Sequence, residues 1–135
     1  MSTSNRAYDI VIYGASGFVG VLVVRHLAEH APADVRIALA GRSEVKLAAV
    51  RSRAGVDWPI VVAEADDAEA LGRMAASTRV VLTTVGPYAK YGRALAHACA
   101  AAGTDYVDLT GEVHFVRESI DANHEIGRAS CRERV

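Results

Sequence analysis

The chain has 135 residues, of which 51% are hydrophobic and 23% are charged, and its formal net charge is −1. This size allows one domain with a real core, and the near-neutral charge gives no electrostatic reason to expect nucleic acid or an anionic membrane as a partner. No apolar run reaches the ~20 residues of a membrane span, and residues 1–8 lack the apolar core of a secretory signal, so a cytoplasmic location is predicted.

The first unit of the chain is predicted to be a strand, a glycine turn and a helix. After an arm over residues 1–7 that we expect to be frayed, residues 10–13 form a short apolar run, and apolar residues recur at helical spacing over residues 21–30. Gly14, Gly17 and Gly20 between them predict a tight turn, room for a diphosphate, and close packing of the helix. The pattern is weak alone, but this strand-turn-helix context favours dinucleotide binding.

Strands and helices continue to alternate along the chain. Strands are predicted over residues 35–40, 59–63, 79–85 and 106–109, and helices over residues 44–54, from residue 67 or 68 to about 77, 93–102, and 113 to about 125. Ser43 and either Asp66 or Asp67 are expected to cap two of these helices, and Gly55 and Gly103 to end two. The fold class is therefore α/β, with a doubly wound, Rossmann-like parallel sheet that is incomplete at about five strands.

Polar residues after the second strand indicate which dinucleotide binds. NAD-selective sites usually place an acidic residue here, whereas this chain has Arg42 and Ser43. The guanidinium can donate two hydrogen bonds to a 2′-phosphate, Ser43 can donate a third, and Lys46 adds a positive charge. The sequence therefore predicts NADP; the alternative is that Arg42 is a solvated loop residue and Ser43 only a helix cap.

Residues after the third and fourth strands are expected at the same edge of the sheet. An acidic side chain among residues 64–67 could accept a hydrogen bond from the adenine amino group, although helix capping explains Asp66 and Asp67 equally well. Gly86 permits close backbone approach to the cofactor, and Pro87 fixes the direction of the chain. Tyr88 either packs on the nicotinamide side, or bonds substrate, or is a packed tyrosine at the start of a helix.

Asp108, Thr110 and Glu112 follow the fifth strand, where they either meet substrate or, as we prefer, cap the last helix. No catalytic residue is identified among them.

No metal site is predicted. His26 and His30 have the i, i+4 spacing of a zinc-ligand pair, but the pattern places no third ligand. Cys99 and Cys131 form neither a C-x-x-C motif nor a metal cluster, and reduced thiols are the simpler interpretation.

Four segments together resemble the NADP-binding domain of the saccharopine-dehydrogenase-like oxidoreductases: residues 13–20, 40–43, 85–88 and 106–112. The resemblance covers residues 8–125 and is greatest to the trans-acting enoyl reductases. It implies an NADP-dependent reductase that reduces a carbon–carbon double bond on a polyketide-type or lipid acyl chain, either small or carried by a synthase. The cofactor residues that it implies are Gly14, Ser16, Gly17, Phe18, Gly20, Arg42, Ser43 and Gly86.

The same resemblance implies that residues 1–125 are the N-terminal, NADP-binding part of a longer enzyme. The family continues into a substrate domain, so this part alone is expected to be inactive; a homo-oligomer formed through that domain is an open alternative. Residues 126–135 resemble a translated sequencing adapter and are expected to be a non-native tail, the alternative being a genuine basic tail.

Two function classes follow from these observations. The first is an oxidoreductase that uses NADPH as hydride donor, and the second is an NADP-binding or sensing module without turnover. A short-chain dehydrogenase is disfavoured, because neither Lys46 nor Lys90 has a tyrosine four residues before it.

Overall fold

A computed structural model describes residues 5–86, 91–109, 112–114 and 116–123. Strands and helices alternate along it as β1 (Tyr8–Tyr13), α1 (Phe18–His30), β2 (Ile37–Gly41), α2 (Glu44–Ala54), β3 (Ile60–Val62), α3 (Ala68–Ala76), β4 (Thr78–Thr83), α4 (Arg93–Ala102) and β5 (Asp105–Val107). Residues 113–114 and 116–123 are also helical, in agreement with the last predicted helix. Within these ranges, no helix combines the length and apolar character that crossing a bilayer requires.

The five strands form one parallel sheet in the order β3-β2-β1-β4-β5. The central strand β1 pairs on both sides, with Ile10 opposite Ile37 of β2 and opposite Val80 of β4. The strand order therefore reverses between β1 and β4, which is where doubly wound sheets open a crevice at the carboxyl ends of their strands. The predicted α/β fold with five parallel strands is confirmed.

The hydrophobic core lies in two layers because alternate residues of β1 point to opposite faces of the sheet. Val11 and Tyr13 face one layer, which α3 and α4 cover with Leu71, Met74, Leu95 and Cys99. Ile12 faces the other layer, which α1 and α2 cover with Val24, Leu47 and Val50. Helices on both faces leave the ends of the strands as the place for a ligand.

Helix ends follow the predicted chemistry. Ser43 Oγ accepts a hydrogen bond from Lys46 N at 3.3 Å, and Asp67 Oδ1 accepts one from Ala70 N at 3.1 Å. Gly55 and Gly103 follow α2 and α4 with φ angles of 69° and 70°. These left-handed angles favour glycine.

Strand β4 ends two residues before its predicted end. Thr83 Oγ1 accepts a hydrogen bond from Val85 N at 3.2 Å, and this local bond replaces the next step of the ladder. Strand β5 likewise ends at Val107 rather than at Leu109.

The prediction of a frayed N-terminal arm is wrong for residues 5–7, because Arg6 is only 5% exposed. Its guanidinium donates four hydrogen bonds: Nη1 to Ala75 O (2.9 Å), Thr78 O (2.8 Å) and Thr104 Oγ1 (2.7 Å), and Nη2 to Ala102 O (2.6 Å). Carbonyl oxygens in the last turns of α3 and α4 have no partner within their helices and lie at the negative ends of the helix dipoles. Arg6 therefore joins the N-terminal segment to the ends of two helices.

Candidate cofactor-binding site

A cleft of about 600 Å³ lies at the carboxyl ends of the strands. Its volume is within the ~300–1,000 Å³ that is common for small-molecule and cofactor sites. Each of the first four strands contributes residues that directly follow it or end it. The lining residues are Tyr13, Gly14, Ser16, Gly17, Gly41, Arg42, Ser43, Lys46, Glu64, Ala65, Asp66, Thr84, Val85, Gly86 and Tyr91.

The turn after β1 is built around Gly14, whose φ is 84°. Its N–H donates to Ala40 O at 2.8 Å, and a Cβ placed on it would lie 2.6 Å from Val85 Cγ2 and 2.9 Å from Thr84 Oγ1. Any other residue would therefore be strained in its backbone and would also clash with the segment after β4. Gly14 holds the turn between the ends of β2 and β4.

The N-terminus of α1 opens onto the cleft without a side-chain cap. Its N-cap residue is Gly17, and the first turn contains no acidic residue. Serine and aspartate side chains cap α2 and α3, but no side chain in the described part of the chain serves the first-turn N–H groups of α1 in this way. Among the described residues, a Cβ on Gly17 would approach only Gly14 O, at 3.4 Å, which leaves the cleft side of this residue open to them. Unpaired N–H groups at the positive end of a helix form a binding site for an anion.

Gly20 positions α1 against the glycine turn. A Cβ on Gly20 would lie 2.0 Å from Gly14 O and 2.9 Å from Ala15 Cα, so the helix and the turn touch through backbone atoms. Gly20 is buried and does not line the cleft, and Phe18 is 87% exposed and does not line it either. Of the predicted cofactor residues on this segment, the structure brings Gly14, Ser16 and Gly17 together at the cleft.

Arg42, Ser43 and Lys46 line the cleft after β2, as the sequence predicts. Arg42 and Lys46 are exposed, and neither forms an ion pair with another residue in the described part of the chain. Ser43 also caps α2, so the capping interpretation is confirmed. A hydroxyl that accepts a hydrogen bond from the backbone keeps its own proton for donation, and capping therefore leaves Ser43 able to bind a phosphate.

The sequence leaves open whether the carboxylates after β3 cap a helix or line the cleft, and the structure assigns different residues to the two positions. Asp67 caps α3, whereas Glu64 and Asp66 line the cleft. The floor beside them is Tyr13, which is 2% exposed and donates its hydroxyl hydrogen to Ala63 O at 2.9 Å. Burial, and then the charge of Glu64, raise the pKa of Tyr13 to about 12, although Arg42 opposes the shift. This phenol therefore stays protonated at neutral pH.

Thr84, Val85, Gly86 and Tyr91 line the cleft after β4. Thr84 N donates to Tyr13 O at 3.0 Å, which fixes this segment beside the glycine turn. Pro87 and Tyr88, two of the predicted cofactor residues, lie outside the described residues. Sequence reasoning did not single out Tyr91, because its only signal is its position three residues after Tyr88 in the sequence.

Other described residues that the sequence singles out do not line the cleft. Asp108 and Glu112 do not line it, and Thr110 is outside the described residues. The rings of His26 and His30 stack with centroids 4.3 Å apart on α1.

The thiol of Cys99 is buried and free, and burial raises its pKa to about 12. Cys131 lies outside the described residues.

Comparisons with known proteins show which family and fold this chain resembles. The family model of the saccharopine dehydrogenase NADP-binding domain matches residues 10–132. The trans-acting enoyl reductase of Mycobacterium ulcerans (strain Agy99) is 53% identical over 128 residues, which are 93% of this chain and 30% of that protein. The trans-acting enoyl reductase of Mycobacterium tuberculosis (strain ATCC 25618 / H37Rv) is 54% identical over the same shares. The chain thus spans about 30% of the length of these relatives.

Solved structures share the fold at lower identity. Apo saccharopine dehydrogenase (L-Glu forming) of Saccharomyces cerevisiae is 22% identical with a TM-score of 0.69, over 82% of this chain and 23% of that one. An NADPH-dependent quinone oxidoreductase of Escherichia coli, in complex with NADPH, is also 22% identical with a TM-score of 0.66, over 87% of this chain and 45% of that one. At this identity the likeness shows the fold alone.

Proposed function

Because the chain belongs to the family of saccharopine dehydrogenase NADP-binding domains, its cofactor is NADP, and we propose that this cofactor lies along the cleft with its diphosphate at the N-terminus of α1. The observation that supports this placement most strongly is the uncapped, non-acidic first turn of α1 behind Gly14 and Gly17. The first-turn N–H groups would take the place of water around the phosphate oxygens, and the helix dipole would favour their negative charge.

The 2′-phosphate would bind after β2. Arg42 and Lys46 provide positive charge there without a carboxylate partner in the described ranges, and Ser43 provides a hydroxyl donor. Glu64 and Asp66 line the next part of the cleft, where a carboxylate would accept a hydrogen bond from the adenine amino group. Gly86 would face the middle of the cofactor, and Pro87 and Tyr88, which lie outside the described residues, are proposed as cofactor residues from the sequence alone.

We propose further that the chain is the cofactor-binding part of an enoyl reductase. Its relatives are named trans-acting enoyl reductases, and this chain corresponds to about 30% of their length. NADPH supplies the hydride in such a reaction, while the protein binds and orients it. The substrate would be an acyl chain, small or carrier-bound, in the cytoplasm, and a homo-oligomer would form through the region that this chain does not span.

Isothermal titration calorimetry of the full chain with NADPH and NADH tests the assignment of Arg42. Hydrogen bonds from a charged group contribute ~1.5–3 kcal/mol each, and solvent reduces this at an exposed site. We therefore expect Arg42→Asp to lower the NADPH-to-NADH affinity ratio by on the order of 10². Arg25→Asp is the matched control, since Arg25 is exposed on α1 and does not line the cleft. An unchanged ratio in Arg42→Asp would remove the proposed role of Arg42.

A chimera tests the activity. Residues 1–125 would replace the corresponding segment of the Mycobacterium tuberculosis relative, and NADPH oxidation would be followed with an α,β-unsaturated acyl thioester. The proposal that the chain is part of a reductase is supported if the chimera turns over and if Arg42→Asp shifts its cofactor preference from NADPH toward NADH. Tight NADPH binding without turnover on any acyl acceptor favours the alternative of a sensing module.

We propose the boundary of the domain at residue 125, with a non-native tail over residues 126–135. The family match extends to residue 132, so this boundary needs its own test. Resequencing the locus beyond the codon for Glu125 provides it, because native coding sequence for residues 127–131 would contradict the adapter origin.

A further inference from the structure

The carbonyl oxygen of Gly14 is the point where the glycine turn, α1 and the segment after β4 meet. It accepts hydrogen bonds from Gly17 N at 3.0 Å and from Thr84 Oγ1 at 3.2 Å. Gly20 packs directly against it, since a Cβ on Gly20 would lie 2.0 Å from this oxygen. Gly20 is buried, so the oxygen lies in the contact between the turn and α1.

The peptide between Gly14 and Ala15 is held at both of its polar ends. Its carbonyl accepts from Thr84 Oγ1, and its N–H, which belongs to Ala15, donates to Ala40 O at 3.2 Å. Because a peptide unit is planar, the carbonyl cannot turn without turning the N–H as well. The orientation of this peptide therefore depends on one residue near the end of β2 and one residue after β4.

The orientation of this peptide decides which charge the turn presents to an anion. A carbonyl oxygen carries partial negative charge, so a Gly14 carbonyl that rotated into the cleft would repel a diphosphate. In the observed orientation the oxygen is paired with two donors, and the uncapped first turn of α1 opens onto the cleft. Holding this carbonyl in place therefore favours the binding of an anion at the turn.

The hydroxyl of Thr84 is directed at the turn. A threonine hydroxyl has one proton to donate, and here it points to Gly14 O at 3.2 Å and to Tyr13 O at 3.4 Å. The backbone N–H of Thr84 donates separately to Tyr13 O at 3.0 Å, and a substitution of the side chain keeps this bond. Removing the hydroxyl therefore leaves the segment after β4 beside the turn and releases only the Gly14 carbonyl.

We propose that Thr84 is a positioning residue for cofactor binding, whose hydroxyl fixes the peptide between Gly14 and Ala15 so that the turn receives the diphosphate. This inference rests on the proposed placement of NADP. It assigns to Thr84 an effect on any ligand that carries the diphosphate. It assigns to Thr84 no effect on the choice between NADP and NAD, which is proposed to depend on Arg42 and Ser43.

Three substitutions separate the hydroxyl of Thr84 from the shape of its side chain. Thr84→Val keeps the branched shape without the hydroxyl, Thr84→Ala removes the hydroxyl without placing a methyl group beside Gly14 O, and Thr84→Ser keeps the hydroxyl. Ser77→Ala is the matched control, because Ser77 precedes β4, donates its hydroxyl to Met74 O at 2.6 Å and does not line the cleft. Urea denaturation measures the stability of each variant; unfolding of both hydroxyl-free variants would assign Thr84 to the fold and overturn the proposal.

Isothermal titration calorimetry of the full chain uses two probes, NADPH and adenosine 2′-phosphate 5′-diphosphate. The second probe carries the diphosphate but lacks the nicotinamide riboside. We expect Thr84→Val and Thr84→Ala to weaken both probes about fivefold to tenfold, the effect of losing one hydrogen bond. Thr84→Ser and Ser77→Ala should stay within twofold of wild type, and the NADPH-to-NADH affinity ratio should be the same in all variants.

Hydrogen exchange of the chain without ligand gives a readout that a direct bond from Thr84 to the cofactor would not move. Without the hydroxyl the turn opens more often, so the N–H groups of Ala15 and Gly17 should exchange about fivefold to tenfold faster in Thr84→Val. Thr84→Ser should restore the wild-type rates. The increase should exceed that of the amides in α3, which report the stability of the fold.

The outcomes separate this inference from the one on which it rests. Failure of the wild-type chain to bind either probe would refute the placement of NADP first, and the role of Thr84 with it. A loss for NADPH alone would place Thr84 against the nicotinamide riboside and overturn the positioning role, as would wild-type affinity in the hydroxyl-free variants. An equal loss in Thr84→Ser, or unchanged exchange at Ala15 and Gly17, would likewise overturn it.

Discussion

Replacing Gly20 with alanine tests whether α1 must touch the glycine turn for the cofactor to bind. The new Cβ would lie 2.0 Å from Gly14 O and 2.9 Å from Ala15 Cα, and both neighbours are backbone atoms. A non-bonded carbon and oxygen need ~3.3 Å, so α1 and the turn would have to separate by on the order of 1 Å.

Two opposing effects set the size of the change in stability. Alanine in place of glycine in a helix interior gains up to ~1 kcal/mol, chiefly because glycine loses more backbone entropy on folding. Overpacking against a rigid neighbour costs ~1–3 kcal/mol and sometimes more. Because the overlap here is with backbone, we expect the upper part of that range and a net destabilisation of about 2 kcal/mol.

Gly72→Ala is the matched control. Gly72 lies in the interior of α3, and a Cβ there would meet no atom of the described residues within 4 Å. This variant should therefore gain up to ~1 kcal/mol without an opposing clash. Urea denaturation measures both variants, with fluorescence of the single tryptophan, Trp58, as the signal.

Cofactor binding gives the second readout. A displacement of ~1 Å at the turn proposed to bind the diphosphate can cost about 10² in affinity or rate, so Gly20→Ala should lose NADPH affinity, whereas Gly72→Ala should keep it. If both variants gain stability equally and bind NADPH like wild type, the contact between Gly20 and Gly14 has no role in the site.

Two further predictions concern the stability of the fold. Arg6→Met removes four hydrogen bonds donated by a buried guanidinium, and we expect urea denaturation to show a loss of roughly 3 kcal/mol, against little change for the exposed control Arg25→Met. Equal effects of the two substitutions would mean that the hydrogen bonds of Arg6 contribute no net stability. The side-chain and then the backbone hydrogen bond from Arg36 hold the pKa of Asp9 below its ordinary value of 3.8. The stability that Asp9 contributes is therefore present above its unfolded-state pKa and lost as pH falls through its folded-state pKa. The difference in urea midpoint between wild type and Asp9→Asn should shrink between pH 7 and pH 2, and a difference that grows on acidification would contradict this.

Local chemistry explains why much of the fold could be predicted from the sequence. Ser43 and Asp67 cap helices through a neighbour three residues away, and Gly55 ends its helix by its own backbone angle. The alternation of strands and helices is likewise indicated by the local spacing of apolar residues. Such features need no knowledge of distant residues.

Contacts between distant residues explain what could not be predicted. The partners of Arg6 are 69 to 98 residues away in the chain, so nothing near it indicates that it is buried. Local sequence also leaves open which carboxylate at the end of β3 caps α3 and which lines the cleft, and it gives no reason to single out Tyr91.

A crystal structure of the full chain with NADP⁺ tests the proposed site most directly. We expect the diphosphate oxygens within hydrogen-bond distance of the first-turn N–H groups of α1, and the 2′-phosphate against the Arg42 guanidinium. A diphosphate bound away from α1, or a 2′-phosphate directed away from Arg42, would contradict the placement of the cofactor.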